Sequence, residues 1–460
     1  MYVHNTDFES ERCMEPNDIY AHNQKMLLNA LKGTDKPTRS KTDEPMLTLK
    51  LSRVLKDREA EQTVLFDGDK GIEKVLETMA NAWQDSQRVF LEGRLMGLHG
   101  YATLTSGGTV ALRVSLDAGG QLICEAGPAS SVCDLLEAVE SFDRLTHVAT
   151  RAMGCDYELL AEGYNSLVST PLDVTLVPHT RWTLLTAHLS QTGRYARDVM
   201  RCSCSTTISI AHGGDRVAID TYRLAVALSP LFAFLTDNVR SFRGSGARRC
   251  PRMVRAMLWD EFDPERCGVV PGTFSQGFSF DRYATWIKGI TPILFVDDQG
   301  TTLPTGKATT REFLRDRTIS RNEAANLLQT AYPLARLLDG EIEIGYADAL
   351  RPQMAAGFMA FVKGLLCNGL VTDSALSLIG QIEDEDVAAA SKELQKKGWD
   401  AKVYGKNAGE LVDELVKLAN SSLFDLAEQR ILRSISELWE FRMVPRDSFV
   451  HQEVKEVRGW

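Results

Sequence analysis

The chain has 460 residues, a formal net charge of −10, 44% hydrophobic residues and 25% charged residues. That length supports a large buried core, and the acidic balance without a long Lys/Arg run excludes a non-specific nucleic-acid binder. No segment reads as the roughly 20 apolar residues of a membrane helix, and the polar start MYVHNTDFESERCMEPND does not read as a secretory leader. Nine cysteines without a CxxC pair imply reduced thiols and a cytoplasmic setting.

In chain order, residues 1–45 are rich in Asp, Glu, Asn, Thr and Lys with little periodicity, which predicts a loosely docked polar extension. Residues 71–90 carry Ile72, Val75, Leu76, Met79 and Trp83 at helical spacing. Strand-like runs follow at 108–116 and 120–124, then a helix over 128–153 opened by Ser130 and Ser131. The Pro-flanked PLDVTLVPHTRW reads as a loop. Residues 199–210, VMRCSCSTTISI, read as a strand able to offer hydroxyls from one face. A helix over 217–236 leads to the Arg-rich loop SFRGSGARRCPR, and from 321 onward the chain reads as mostly helical. The expected division is an extension (1–45), a main domain (46–375) and a mainly helical C-terminal part (376–460). The interspersed elements lack βαβ units with Gly-rich turns, so an α+β fold with a mainly antiparallel sheet is expected.

Three constellations could carry chemistry. Glu59 and Glu61 stand at i, i+2, which on a strand puts both carboxylates on one face. Asp117 precedes Gly119-Gly120-Gln121, where glycines admit the close approach of a backbone or a phosphate. Clustered acids of this kind need a cation, and oxygen-only ligands favour Mg²⁺. The segment RMVRAMLWDEFDPERCGVVPGTF holds Arg255, Trp259 and Arg266, and a guanidinium fork among apolar residues suits either a structural carboxylate or the carboxylate or phosphate of a substrate.

The order of these motifs resembles the glutamate–cysteine ligase family, in its plant and proteobacterial type. The matching stretches are EAE (59–61), LDAGGQLICEAGP (116–128), TRW (180–182), STTIS (205–209), TDN (236–238), VRAMLWDEFDPERCG (254–268) and EIGYAD (343–348). The resemblance implies a glutamine-synthetase-like ligase fold, an antiparallel sheet shaped as a funnel and covered by helices. It implies an ATP- and Mg²⁺-dependent carboxylate–amine ligase that makes a γ-glutamyl-type amide through an acyl phosphate. The partners would be an amino-acid or small carboxylate donor and an amine acceptor, with no nucleic acid and no membrane. By position it casts Glu59, Glu61 and Asp117 as metal ligands and Gly119, Gly120 and Gln121 as nucleotide-binding residues. It casts Arg181, Trp259, Thr207 and Arg266 as substrate-binding, and Glu59, Arg255 and Glu343 as catalytic. The sequence departs from the family pattern at Asp117-Ala118 (for Glu-Pro), Ile123 (for Glu), Thr207 (for Gln) and Gly345 (for Arg). Those departures frame the alternative, a relative that binds nucleotide or amino acid with impaired turnover. Any charge replacing Ile123 and Gly345 is expected from Glu125 or from Arg240, Arg243, Arg248 or Arg249.

Overall fold

The computed structural model describes residues 16–33, 45–212 and 215–458. Its centre is an antiparallel sheet of ten strands: β1 Leu47–Asp57, β2 Gln62–Thr63, β3 Gln87–Leu91, β4 Arg94–Thr103, β5 Thr109–Leu116, β6 Leu122–Ala129, β7 Tyr157–Leu160, β8 Ser205–Ala211, β9 Ala335–Leu338 and β10 Glu341–Asp348. The strand order is β9-β10-β8-β1-β6-β5-β4-β3, and β2 and β7 pair with the last residues of β1. The α+β expectation with an antiparallel sheet holds.

The pattern of β1, LTLKLSRVLKD, shows why the sheet has two unlike faces. Leu47, Leu49 and Leu51 are fully buried, while Thr48, Lys50 and Ser52 alternate with them and point the other way. Register extends this split across the sheet, because Leu51 opposes Cys124 and Lys50 opposes both Glu125 and Thr207. The apolar face lies under α2 (Ile72–Ala82) and α3 (Val132–Ala152). Helix α3 starts where Ser131 Oγ accepts the Asp134 N–H, and it buries Leu135, Val139 and Phe142. Fully burying a Leu of this kind contributes about 1.5–3 kcal/mol, which pins the register, since a one-residue slip would turn Lys50 into the core.

The opposite, polar face is walled at one end by α4 (Thr180–Thr192), α5 (Ala196–Cys202) and α7 (Val254–Asp260), which close a second apolar cluster around Ala118, Tyr164, Leu189, Leu258 and Phe262. Helix α6 (Asp215–Leu235) sits in the main core. Contrary to the sequence reading, residues 216–235 are long and apolar enough to span a membrane by length and composition; 83% of that apolar window is buried inside the protein.

Several expectations need correcting. Within the expected extension, α1 (Pro16–Lys32) is docked: Leu27, Ala30 and Leu31 are fully buried, and Asn23 donates to the carbonyls of Leu314 and Arg317. Residues 1–15 and 34–44 lie outside the described residues. The strand expected over 199–210 begins only at Ser205, because 196–202 form α5. The expected loop ends at His179, whose ring accepts the Arg181 N–H and caps α4. The stretch 335–348, expected to be helical, is the β9–β10 hairpin, turned by Asp339 and Gly340 at φ 52° and 75°. The helices beyond 376 pack on the same core, which runs from Leu27 to Val444; α8 (Pro352–Leu366) ties them to it, holding Lys363 against the buried Glu428 at 2.7 Å.

Candidate functional site

The polar face of the sheet carries a row of alternating charges. Arg113 on β5 meets Glu125 on β6 at 2.8 Å, and Glu125 lies 3.4 Å from the Lys50 ammonium on β1. Lys50 stands 3.7 Å from Glu343 on β10, which closes on Arg336 of β9 at 2.5 Å. The row follows from register: Arg113 opposes Glu125, Glu125 opposes Lys50, and Glu343 opposes Arg336. Strand β8 runs between β1 and β10 and adds Ser205, Thr207 and Ser209 on the same face, with Thr207 directly opposite Lys50. Burial alone would lower the Lys50 pKa, yet Glu343 and Glu125 outweigh it and hold the ammonium above its usual value. Burial pulls Glu343 upward, but Arg336 and Lys50 overcome it and hold the carboxylate ionised. Lys50 is therefore a fixed cation at the middle of the sheet.

At the walled end, Asp117 follows β5 and accepts the Ala118 N–H. Burial raises its pKa against the opposing pull of that bond and of Lys50, Arg181 and Arg255. Arg255, on α7, is 5% exposed, donates from Nε to Ser203 Oγ at 3.0 Å and from Nη1 to the Ala347 carbonyl at 3.2 Å. Burial lowers its pKa, opposed by the charge of Asp348. Arg181, in the first turn of α4, has its guanidinium 5.9 Å from the Trp182 ring. Among the described residues neither guanidinium has a carboxylate within ion-pair distance; both act on Asp117 electrostatically, and Arg255 also feels the charge of Asp348.

The structure brings together Asp117, Arg181, Arg255, Thr207 and Glu343 on this face. Trp259 is packed beside them, against Phe262 and Tyr332 at ring distances of 4.8 and 5.4 Å, with the Arg255 guanidinium 5.9 Å from its ring. Other assignments fail on geometry. Glu59 and Glu61 are not on a strand: β1 ends at Asp57, whose Oδ1 accepts the N–H groups of Glu59 and Ala60, and Glu61 sits at φ 53° in the turn to β2. Both are exposed, and Glu61 pairs with Lys56 at 2.8 Å, about 20 Å along β1 from Lys50 at strand spacing. They ligate nothing with Asp117.

Gly119, Gly120 and Gln121 are structural. Gln121 is 1% exposed; its Oε1 accepts the Gly119 N–H and its Nε2 donates to the Ser203 carbonyl. A Cβ on Gly119 would stand 2.3 Å from the Arg201 carbonyl oxygen, so the glycine admits the end of α5 rather than a phosphate. Gly120 sits at φ +82° against Ile72. Arg266 is fully buried, bonded to Asp263 at 2.7 Å and to the Thr291 carbonyl, which removes it from substrate binding. Of the expected replacement charges, Glu125 faces the site. Arg240, Arg243 and Arg248 pair elsewhere, with Glu162, Asp198 and Glu453. At Gly345 a Cβ would meet only Thr207 at ordinary contact, 3.6 Å, so space does not forbid the missing side chain.

Lys50, Arg336 and Arg113 escaped the sequence reading. Their signal was a single lysine in the alternating run LTLKLSRV and an Arg and a Glu flanking an Asp-Gly turn in ARLLDGEIE. A groove of about 1010 Å³ lies on the opposite side, lined among others by Arg53 of β1 and its ion-pair partner Asp143 of α3. No disulfide joins the described cysteines, and burial pushes the Cys202 thiol up to about 12, which rules it out as a thiolate nucleophile near neutral pH.

A divalent cation on this face needs converging carboxylates, and the residues present do not supply them. An ammonium stands between Glu125 and Glu343, Ile123 opposes Ser52 where an acid was expected, and Asp117 has a raised proton affinity. Among the described residues no three His, Cys, Asp or Glu side chains are grouped to hold a metal. The Mg²⁺ set expected from Glu59, Glu61 and Asp117 does not fit this structure.

The polar face of the broad antiparallel sheet thus ends, at its walled end, in the guanidinia of Arg181 and Arg255, neither in an ion pair among the described residues. The chain belongs to glutamate-cysteine ligase family 2, whose model matches residues 54–437, and the family is one of carboxylate–amine ligases. Chloroplastic glutamate–cysteine ligase of Brassica juncea is 24% identical over 272 residues, covering 58% of this chain and 52% of that protein. The Nicotiana tabacum enzyme is 20% identical over 317 residues, covering 67% of this chain and 59% of its own length. The chain thus spans about half the length of these curated relatives. The solved complex of prokaryotic ubiquitin-like protein Pup with its ligase PafA is similar at TM-score 0.39 and 10% identity, covering 90% of this chain and 66% of that one.

Proposed function

We propose that this chain carries the acyl-donor half of a carboxylate–amine ligase site: it binds a small amino-acid-type carboxylate at Arg181 and Arg255, and it does not run the metal-dependent ATP half. The observation that carries this reading is the pair of guanidinia facing Asp117 without a carboxylate in contact. A guanidinium already anchored through Nε and Nη1, as Arg255 is, presents its remaining N–H donors in a fixed direction, which suits bidentate capture of a carboxylate. Asp117 stands where it can accept from an α-ammonium group.

Family membership over residues 54–437 favours a second reading, ATP- and Mg²⁺-dependent formation of a γ-glutamyl-type amide through an acyl phosphate. Without converging carboxylates the developing charge on a transferred phosphoryl group lacks its usual metal partner, so the donor-binding reading is preferred. The deciding experiment measures binding of glutamate, aspartate and glutarate by calorimetry, beside phosphate release from ATP with a panel of donors and amines. Donor binding without phosphate release supports the proposal. Phosphate release that requires one donor–acceptor pair overturns it in favour of the ligase.

A further inference from the structure

We infer that the Lys50 ammonium is a built-in replacement for a divalent cation, so that the polar face excludes metal and takes a dianionic ligand, a dicarboxylate, in metal-free form. Three observations carry this. First, Lys50 is placed where a cation would bridge two carboxylates, 3.4 Å from Glu125 and 3.7 Å from Glu343, on the central strand of the sheet. Second, the outer oxygens of both carboxylates are already taken by Arg113 and Arg336, so neither acid is free to reorient toward an incoming ion. Third, the face carries more positive than negative side chains: Arg113, Lys50, Arg336, Arg181 and Arg255 stand against Glu125, Glu343, Asp117 and, near Arg255, Asp348. Such an excess of positive charge repels a free divalent cation and is offset by a ligand bearing carboxylates.

The arrangement also assigns separate tasks along the face. Arg181 and Arg255 hold one carboxylate at the walled end. Lys50, with the hydroxyls of Thr207 and Ser205 beside it, receives the other; these hydroxyls lie 3.2 Å apart and can reorient toward an anion. Arg336 Nε has no hydrogen-bond partner among the described residues, which leaves one buried donor on this face unused. No bond is made or broken in this scheme.

The inference rests on the polar face being the ligand face, and its primary readout is metal rather than ligand, so it stands or falls separately from donor binding. Mn²⁺ is titrated into the full chain and its free signal followed by electron paramagnetic resonance. The parent should leave Mn²⁺ free, and Lys50→Glu should create a site that binds it at least about tenfold more tightly, since three carboxylates then converge. If Lys50→Glu does not fold by circular dichroism, Lys50→Gln removes the cation at little change in size and should gain a weaker Mn²⁺ site. Parent binding of Mn²⁺ that Glu125→Gln abolishes would overturn the inference, as would a folded Lys50→Glu with no gain. In the ligand arm, glutarate affinity should be unchanged, within about twofold, between EDTA and excess MgCl₂. Affinity that rises tenfold with Mg²⁺ would also overturn the metal-free reading. Glutarate, glutamate and aspartate all failing to bind would instead sink the donor-binding proposal and the dicarboxylate assignment, with the Mn²⁺ titration still deciding the role of Lys50.

Discussion

The two arginines that face Asp117 should respond differently to substitution, because one is anchored by the protein and the other is not. Arg255 is 5% exposed and makes two directed bonds, to Ser203 Oγ and the Ala347 carbonyl. A lysine there can satisfy one of them at most. Losing one charge-assisted bond and leaving a buried acceptor unpaired costs about 2–6 kcal/mol, from about 1–3 kcal/mol for each component. Arg181 is half-buried, and its guanidinium has no hydrogen bond or ion pair among the described residues. Arg181→Ala should therefore change stability by less than about 0.5 kcal/mol, as for a surface substitution. Its effect on ligand should be large: one charge-assisted bond to a carboxylate is worth about 1.5–3 kcal/mol, roughly 10- to 150-fold in Kd. The assay pairs urea unfolding with calorimetric titration of the donor identified in the panel. Arg255→Lys should lose both stability and binding, and Arg181→Ala binding alone. If Arg181→Ala binds as tightly as the parent, the walled end is not a carboxylate site. If Arg255→Lys is as stable as the parent, the anchoring argument is wrong.

Other outcomes follow from the same structure. Burial and the neighbouring charge of Asp237 push Asp348 up to about 7, and burial pushes Asp237 to about 6, so both folded-state values lie above the ordinary carboxylate range. Their stabilising contribution is full below about pH 4 and is lost as pH rises toward 7; Asp348→Asn should flatten that decline in urea unfolding at pH 4.5, 6 and 7.5, and parallel profiles would refute it. Gly119→Ala should destabilise by at least about 1–3 kcal/mol, because its Cβ meets the Arg201 carbonyl at 2.3 Å, and normal stability would mean that the turn relaxes freely. Leu31→Ala, at a fully buried position of α1, should cost about 2–5 kcal/mol, and a loss below 0.5 kcal/mol would mean that α1 is not docked in solution.

Much of the fold was legible where one period dominated. The stripes of α2 and α3 and the alternation of β5 and β6 are local signals, and each element starts within a few residues of its expected place. Their ends differ more: α2 stops at Ala82 where a helix to 90 was expected, because Gln87–Leu91 form β3, and β6 runs on to Ala129. The misses were of two kinds. Some signals were present and outweighed: Asp339-Gly340 between alternating residues is a hairpin cue, and it was overridden by the helical character of the chain around it. Helix α1 carries the buried stripe Leu27, Ala30 and Leu31, but its polar composition favoured an extension. Others depended on tertiary contact. The start of α4 rests on a histidine cap, and residues 196–202 are helical although their composition also suits a strand.

The site was harder to read for a reason that concerns charge rather than pattern. Arg181, Arg255, Asp117, Thr207 and Glu343 were proposed by motif, and they lie along the polar face of the sheet and its walled end. The EAE motif led to the wrong acids because Asp57 ends β1 and folds the next residues into a turn, whereas a strand was needed to aim both carboxylates together. The residue that dominates the face, Lys50, lies nine positions before the start of EAE in an ordinary alternating strand. Nothing local distinguishes it from a solvated surface lysine. Its meaning depends on Glu125, 75 residues away, and Glu343, nearly 300 away, and only sheet register puts them on either side of it. Matching motifs asks which ligands are kept. The physics of this face is set equally by the cation held between those two acids, and a positive charge fixed in the strand removes the need for a metal while leaving the cationic surface a carboxylate would seek.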